Sequence, residues 1–110
     1  ITVTAMEGEF GKPPCRMLIT ATGSAENTKM GWKGPEKNTV GIDWGEAPTL
    51  VEGIPARLTL PFAARAVEVW ALDACGQRKG RLAVAAGDDG NAAVALGPEQ
   101  QTIWYEAVAR

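Results

Sequence analysis

The chain has 110 residues, thirteen acidic and eleven basic side chains, a formal net charge of −2 and no histidine. This length suits a single domain over residues 1–110 that can bury its own core. The acidic balance argues against partners held by charge, so we expect neither nucleic acid nor membrane binding. The absence of histidine excludes Ser-His-Asp and Cys-His catalysis and every zinc site that uses imidazole.

Short runs rich in Val, Ile, Leu, Thr and Trp alternate with Gly and Pro along the whole chain. Each run predicts a strand, and the turn residues between runs are typical of a sandwich or barrel. No segment predicts a long helix. The predicted class is therefore all-β, an antiparallel β-sandwich. The predicted strands are Ile1–Met6, Arg16–Thr22, Thr39–Trp44, Thr49–Glu52, Ala56–Leu60, Ala66–Leu72, Arg81–Ala86, Asn91–Leu96 and Thr102–Ala109.

Two of these strands show a clear alternation of side chains, which predicts the face that each residue occupies. In Ala56–Leu60 the two leucines share one face, opposite an arginine and a threonine. In Ala66–Leu72 the small apolar residues lie opposite a glutamate and a tryptophan. In the second of these strands, the residues predicted to face the core are Val67, Val69 and Ala71.

Two turns are predicted where Gly and Asx residues supply the backbone conformations that hairpins require. Asp73–Gly76 follows one predicted strand, and Gly87–Asn91 separates two others. The oxygens of Asp88, Asp89 and Asn91 would also suit calcium. A tight turn uses the same residues without a metal, so we expect no cofactor and keep calcium only as an alternative.

The two cysteines, Cys15 and Cys75, leave two alternatives open. They could form a disulfide that closes a loop of about 60 residues, as small exported domains often do. They could equally be two separate buried thiols. Sequence does not decide between these, because the bond needs the two Cα atoms within about 7 Å.

The segment Gly23–Gly45 differs from the rest of the chain. It is long, polar and rich in Gly and Lys, yet it contains two of the four tryptophans. Long loops on a rigid β scaffold are functional or disordered, and tryptophans argue against disorder. This segment is therefore the predicted location of a binding site.

Tryptophan suits a neutral polymer such as a polysaccharide, because an indole can stack on the apolar C–H face of a sugar ring. Trp32 lies in the long loop without apolar periodicity, so we expect an exposed platform there. Trp70 is expected to face away from the core. Trp44 alternates with Val40 and Ile42, which points it to the core side or to the rim of a strand end. Trp104 is expected to fill the core or the sheet.

Polar side chains near these rings could hydrogen-bond sugar hydroxyls. We expect the ligand site to combine Trp32, Trp44 and Trp70 with such neighbours, although each neighbour taken singly is better explained as an ordinary solvated loop residue. The polar candidates are Asn27, Lys29, Glu36, Lys37, Asp43 and Glu46.

Five parts of the chain form a recognisable set of segments: Arg16–Gly23, Asn27–Trp32, Trp44–Glu52, Val69–Asp73 with Gly76 and Arg78, and Thr102–Glu106. Together they resemble the C-terminal β-sandwich modules of bacterial glycoside hydrolases, and the chain is similar to the carbohydrate-binding modules of family 81. The resemblance covers nearly the whole chain.

The resemblance implies a non-catalytic module that binds β-glucans such as cello-oligosaccharides, is secreted, and is covalently attached to a glycoside hydrolase catalytic domain. Because Ile1 is not an initiator methionine, we expect a mature or excised fragment. A structural appendage without a ligand is the alternative. A small glycan-active enzyme ranks last, because the carboxylates Asp43 and Glu46 form no specific catalytic signature.

Overall fold

The computed structural model describes all residues from Ile1 to Arg110 and contains ten strands and two one-turn 3-10 helices, Ala64–Ala66 and Pro98–Gln100. None of its helices has the length and apolar character needed to cross a membrane. The strands are Thr2–Glu9 (β1), Lys12–Thr20 (β2), Ala25–Thr28 (β3), Glu46–Val51 (β4), Ala56–Ala63 (β5), Val67–Leu72 (β6), Arg78–Leu82 (β7), Val84–Ala86 (β8), Asn91–Leu96 (β9) and Trp104–Ala109 (β10).

The chain forms two compact units. The sandwich unit comprises Ile1–Thr22 and Gly53–Arg110, and the ribbon unit comprises Gly23–Glu52. The sandwich unit has a five-stranded sheet in the order β1-β2-β10-β6-β7 and a three-stranded sheet in the order β5-β9-β8. The ribbon unit has one two-stranded sheet, β3-β4. All strand pairs are antiparallel.

The core of the sandwich unit lies between its two sheets and is built by alternation. In β6 the side chains of Val67, Val69 and Ala71 are buried, while Glu68 and Trp70 point to the opposite face. Both sheets contribute to one apolar cluster, which confirms the predicted antiparallel sandwich and the predicted faces of β6. The largest fully buried side chains are Tyr105, Met17, Ile19, Leu60, Val69 and Val94.

Both predicted turns are present and have the expected chemistry. Asp73 Oδ1 accepts hydrogen bonds from the backbone N–H groups of Cys75 and Gln77, each at 2.8 Å, in the turn between β6 and β7. Between β8 and β9, the N–H of Gly90 donates to the carbonyl of Gly87 at 2.9 Å. Asx side chains thus replace backbone partners at these turns.

The cysteines fit neither of the two alternatives. Both are free; Cys15 lies on the core face of β2, and Cys75 is exposed in the turn after β6. The first thiol therefore packs as a small apolar group. The second is open to solvent, so the pair is neither a disulfide nor two buried thiols.

The predicted strand Thr39–Trp44 is wrong. The segment forms turns and irregular backbone, and Asp43 N–H donates to the carbonyl of Val40 at 2.9 Å. Gly41 has φ of +57°, which ends any extended run at that point. Val40 is buried, but Ile42 is 91% exposed, so the apparent alternation does not define a common face.

The structure also differs from the prediction at β3, at Arg81–Ala86 and at Trp104. β3 was not predicted, because its sequence is short and polar. Arg81–Ala86 is not one strand: β7 pairs with β6 and β8 pairs with β9, so the chain changes sheets at Ala83. Trp104 is not in the core; it is 37% exposed, and its neighbour Tyr105 takes the core position at 1%.

Candidate functional site

The ribbon unit is closed at its base by hydrogen bonds between its two ends. Gly23 N–H donates to the carbonyl of Glu52, and Glu52 N–H donates to the carbonyl of Ser24, both at 2.8 Å. The Ser24 backbone N–H and hydroxyl also donate to the Glu52 carboxylate. These bonds, the backbone one foremost, lower the pKa of Glu52. The base is therefore fixed by polar contacts rather than by an apolar core.

The loop between β3 and β4 folds back on itself. Gly31 N–H donates to the carbonyl of Asp43 at 2.9 Å, and Lys33 N–H donates to the carbonyl of Thr39 at 2.8 Å. Exposed Glu36 lies in the turn at the far end of the loop. The two cross-loop bonds give the segment before Trp44 a defined path.

Trp44 is 63% exposed at the end of this loop, and its backbone is held in place. Asn27 Nδ2 donates to the Trp44 carbonyl at 2.9 Å, while Asn27 Oδ1 accepts from the Thr49 hydroxyl at 2.8 Å. Gly45 follows with φ of +76°, and a Cβ there would lie 2.8 Å from Met30 N and closer still to the Thr28 carbonyl oxygen. The indole is thus exposed on a backbone that has little freedom.

Two ion pairs lie beside Trp44 in the sequence. Asp43, the preceding residue, pairs with Lys33, and Glu46 pairs with Lys29 at 2.5 Å. All four side chains are at least half exposed. Exposed ion pairs contribute little to stability, so these groups can exchange their partners for ligand hydroxyls at small cost.

Trp32, expected to be the exposed platform, is half-buried. Its Nε1 donates to Glu26 Oε2 at 2.6 Å, and its backbone N–H donates to the Met30 carbonyl at 3.1 Å. The polar edge of this indole is therefore already occupied. The ring that the loop leaves open is Trp44.

Trp70 belongs to the sandwich unit and faces outward from the five-stranded sheet, as predicted. Its ring is half-buried beneath two guanidinium groups, with Arg78 Cζ at 4.9 Å and Arg81 Cζ at 5.7 Å from the ring centroid. Trp70 is the one ligand candidate outside the ribbon unit. The structure brings two pairs of the predicted residues into direct contact: Asn27 with Trp44, and Lys29 with Glu46.

Sequence reasoning missed three residues that support this site. Glu26 holds Trp32, Lys33 holds Asp43, and Thr49 holds Asn27. Lys33 and Thr49 each lie across the β3–β4 ribbon or its loop from the residue that they contact. Glu26 instead precedes Trp32 by six positions. Recognising β3 would have placed Asn27 opposite Thr49, since the two are register partners.

No group of three or more His, Cys, Asp and Glu side chains in the chain is arranged to hold a metal. At the turn considered for calcium, Asp89 accepts hydrogen bonds from Asn91 at both carboxylate oxygens, at 3.0 and 2.8 Å. The Asn91 backbone N–H is the main cause of the lowered pKa of Asp89. These contacts are those of a tight turn.

No family model, curated protein or solved structure matches the chain. The resemblance to family 81 is therefore carried by the quoted sequence segments alone.

Proposed function

We propose that the chain is a non-catalytic carbohydrate-binding module that recognises β-glucan chains, with Trp44 as its stacking platform. The observation that carries the proposal is the 63% exposure of Trp44 on a backbone held by Asn27 and Gly45. A large aromatic ring exposed to water gains by covering its face, and a sugar ring offers an apolar C–H face for this contact.

Polar groups close to Trp44 in the sequence add to the argument. A sugar ring carries hydroxyls at its edge, and carboxylates accept while ammonium groups donate hydrogen bonds to them. Asp43 and Glu46 lie within two residues of Trp44 along the chain, and their ion pairs with Lys33 and Lys29 add ammonium groups beside these carboxylates. Pre-organised aromatic and polar groups bind with less loss of conformational freedom than mobile ones. The proposed partner is neutral β-glucan such as a cello-oligosaccharide.

The proposal includes a secreted protein in which this module is covalently attached to a glycoside hydrolase catalytic domain. The module would hold the polymer while the attached domain cleaves it. Binding in this role needs no catalytic group in the ribbon unit, where Asp43 and Glu46 are engaged as exposed ion pairs.

The test is a calorimetric titration across cello-oligosaccharides, xyloglucan, mixed-linkage glucan, xylan and mannan. Trp44→Ala should weaken β-glucan binding at least about tenfold, since a stacked aromatic contributes on the order of 1–3 kcal/mol by analogy with base stacking. Because the ring is exposed, thermal melting should change little. Ile42→Ala is the matched control, because it removes an exposed apolar side chain, two residues before Trp44, that cannot stack.

The proposal is wrong if no β-glucan binds, or if Trp44→Ala and the wild type bind equally. Equal losses from Trp44→Ala and Ile42→Ala would also contradict it, since that result would indicate a general apolar contact rather than stacking. The isolated chain should release no reducing ends from β-glucan, and release by pure protein would show that it is an enzyme.

A structural appendage without a ligand of its own is the second candidate. The observation that favours it is a set of exposed aliphatic side chains in the ribbon unit: Ile42 at 91%, Leu50 at 52% and Val51 at 41%. A contiguous exposed apolar patch marks a surface that another protein domain covers, and these side chains are candidates for such a contact. If the chain is such an appendage, Leu50→Ser should lower the melting temperature of the full-length protein, and no polysaccharide in the panel should bind.

A further inference from the structure

The outer face of the five-stranded sheet has a network of ion pairs around Trp70, separate from the Trp44 site. This arginine face contains four arginines and three glutamates, in a chain whose net charge is −2. It is therefore a locally positive surface on an acidic protein. Its members are Arg16, Arg78, Arg81, Arg110, Glu7, Glu68 and Glu106.

Glu106 is the buried centre of this network, at 6% exposure. Arg16 and Arg78 each donate from Nε to one of its carboxylate oxygens at 2.5 Å. Burial alone would raise the pKa of Glu106, but the hydrogen bonds from Arg78 and Arg16 outweigh it, so the pKa lies below its usual value. The carboxylate therefore stays ionised and fixes both guanidinium groups.

Arg78 bonds Glu106 through Nε, which leaves its two terminal Nη groups for another acceptor. Arg81 pairs with Glu68 through one terminal nitrogen at 3.0 Å. The two guanidinium carbons lie 4.9 and 5.7 Å from the same Trp70 ring centroid, and both side chains are about half exposed. Each guanidinium group already has one carboxylate partner, and its remaining N–H donors are available to a further oxyanion that lies between the two arginines.

Trp70 itself has an unused donor. Its Nε1 is buried and makes no hydrogen bond. A buried indole N–H ordinarily has a partner. A structural role alone explains the position of the ring beneath the arginines, but it does not explain the unpaired donor.

Trp104 lies on the same outer face. Glu106 pairs in register with Trp70, and Trp104 precedes Glu106 by two residues on β10, so it is the diagonal neighbour of Trp70. Diagonal neighbours of this kind are about 7–8 Å apart. Trp104 is 37% exposed, and this distance is within the span of a disaccharide.

We propose that the arginine face is a second binding site, which takes an anionic saccharide. Its carboxylate or sulfate group accepts hydrogen bonds from Arg78 and Arg81, and its ring stacks on Trp104. Guanidinium forks match planar oxyanions in geometry, and aromatic faces bind sugar rings. Like the site of the proposed function, this second site binds a saccharide. It uses none of the residues around Trp44.

The test is a calorimetric titration at low salt with oligogalacturonate, a sulfated oligosaccharide of similar length, and a neutral cello-oligosaccharide. Arg81→Gln should weaken binding of the anionic ligand about tenfold, because one charged hydrogen bond is lost. Arg57→Gln is the matched control: it removes the same charge from β5, in the other sheet. It should leave binding unchanged.

Trp104→Ala should also weaken the anionic ligand, whereas Trp44→Ala should not. Conversely, Arg81→Gln should leave neutral β-glucan binding intact, so the two proposals fail independently. A preference for oligogalacturonate or for the sulfated ligand identifies which oxyanion the site takes, and either supports the proposal if Arg81→Gln reduces it. Thermal melting of each variant checks that the sheet is intact.

A direct readout uses the wild-type protein. The indole N–H signals of Trp70 and Trp104 should shift in ¹⁵N spectra on addition of oligogalacturonate, while that of Trp44 stays in place. The proposal is overturned if neither anionic ligand binds more tightly than the neutral one. It is also overturned if Arg57→Gln and Arg81→Gln reduce binding equally, which would indicate attraction by net charge alone.

Discussion

The two units of the chain are stabilised in different ways. The sandwich unit packs residues from both of its sheets into one apolar cluster, in which Met17, Ile19 and Ala107 have no exposed surface. In the ribbon unit only Val40 is buried. Its path is set by hydrogen bonds, exposed ion pairs and glycines with positive φ.

This difference has a functional consequence. Apolar burial is the main favourable term in folding, so side chains that build a core are not available to a ligand. A segment fixed by backbone and polar contacts can leave an indole such as Trp44 in water. The cost is lower local stability, because such segments open more easily than core strands. Ligand sites are often found on segments of this kind.

The largest expected effect is a difference in unfolding free energy between alanine variants of two adjacent residues of β10. Tyr105→Ala should destabilise the sandwich unit by about 3–5 kcal/mol, the usual cost of deleting a buried aromatic ring. Trp104→Ala should cost about 1–2 kcal/mol, because that ring is partly exposed and loses less buried area. Urea unfolding of both variants measures the difference. Equal losses would mean that Trp104 contributes to the core as much as Tyr105 does.

The next effect tests the backbone of the ribbon unit. Gly45 has a positive φ, and a Cβ at this position would lie close to the Thr28 carbonyl and Met30. Gly45→Ala should therefore lower the unfolding free energy by about 2 kcal/mol or more and distort the Trp44 platform. Gly34→Ala is the control, since Gly34 also has positive φ but open space around it, and it should cost about 1 kcal/mol.

The readouts for this pair are hydrogen exchange in the ribbon unit and titration with β-glucan. Gly45→Ala should speed exchange between Asn27 and Glu46 and weaken binding, while exchange in β6 and β10 stays slow. Similar behaviour of the two alanine variants would show that φ alone, and not the close approach, requires glycine at position 45.

The sandwich was predictable because its strands have strong local signals. Valines that alternate with polar residues in β6 and Asx–Gly turns after β6 and β8 determine both pairing and facing. Trp104 was expected in the core or in the sheet, and it lies in the sheet but outside the core. The alternation of β10 is weak, because the bulky Trp104 and Tyr105 are adjacent and the other core-facing residues are alanines. The available signal was the charged residue Glu106, which lies two residues after Trp104 and therefore on the same face of the strand, away from the core.

The ribbon was less predictable, because its contacts join residues that are distant in sequence and polar. The pairing of Asn27 with Trp44 spans 17 positions and leaves no periodic pattern. Val40, Ile42 and Trp44 alternate like a strand, yet Gly41 turns the chain between them. The pattern therefore indicated Trp32 as the exposed ring of this segment, whereas the exposed ring is Trp44.

A third, smaller effect concerns pH and Glu106. Its folded pKa lies below the unfolded value, so the unfolded state binds more protons in the acid range and stability rises with pH there. The contribution is complete above the usual glutamate value of about 4.3 and is lost as pH falls through the folded pKa. Glu106→Gln should lower the unfolding free energy at pH 7 by about 1–3 kcal/mol.

The measurement is urea unfolding of both proteins from pH 7 to pH 3. The difference between them should shrink toward acid, because the wild-type carboxyl becomes neutral like the amide. A difference that stays constant over this range would mean that packing, and not the ion pairs with Arg16 and Arg78, accounts for the loss.

The smallest expected effect isolates the hydrogen bond that fixes the Trp44 backbone. Asn27→Ala removes two bonds, one to the Trp44 carbonyl and one from the Thr49 hydroxyl, whereas Thr49→Val removes only the second. A neutral hydrogen bond contributes about 0.5–1.5 kcal/mol. Asn27→Ala should therefore weaken β-glucan binding roughly three- to tenfold, and Thr49→Val should change it less than about twofold. Calorimetric titration alongside thermal melting measures both. If Thr49→Val weakens binding as much as Asn27→Ala, the ribbon as a whole, rather than the Asn27–Trp44 bond, positions the ring.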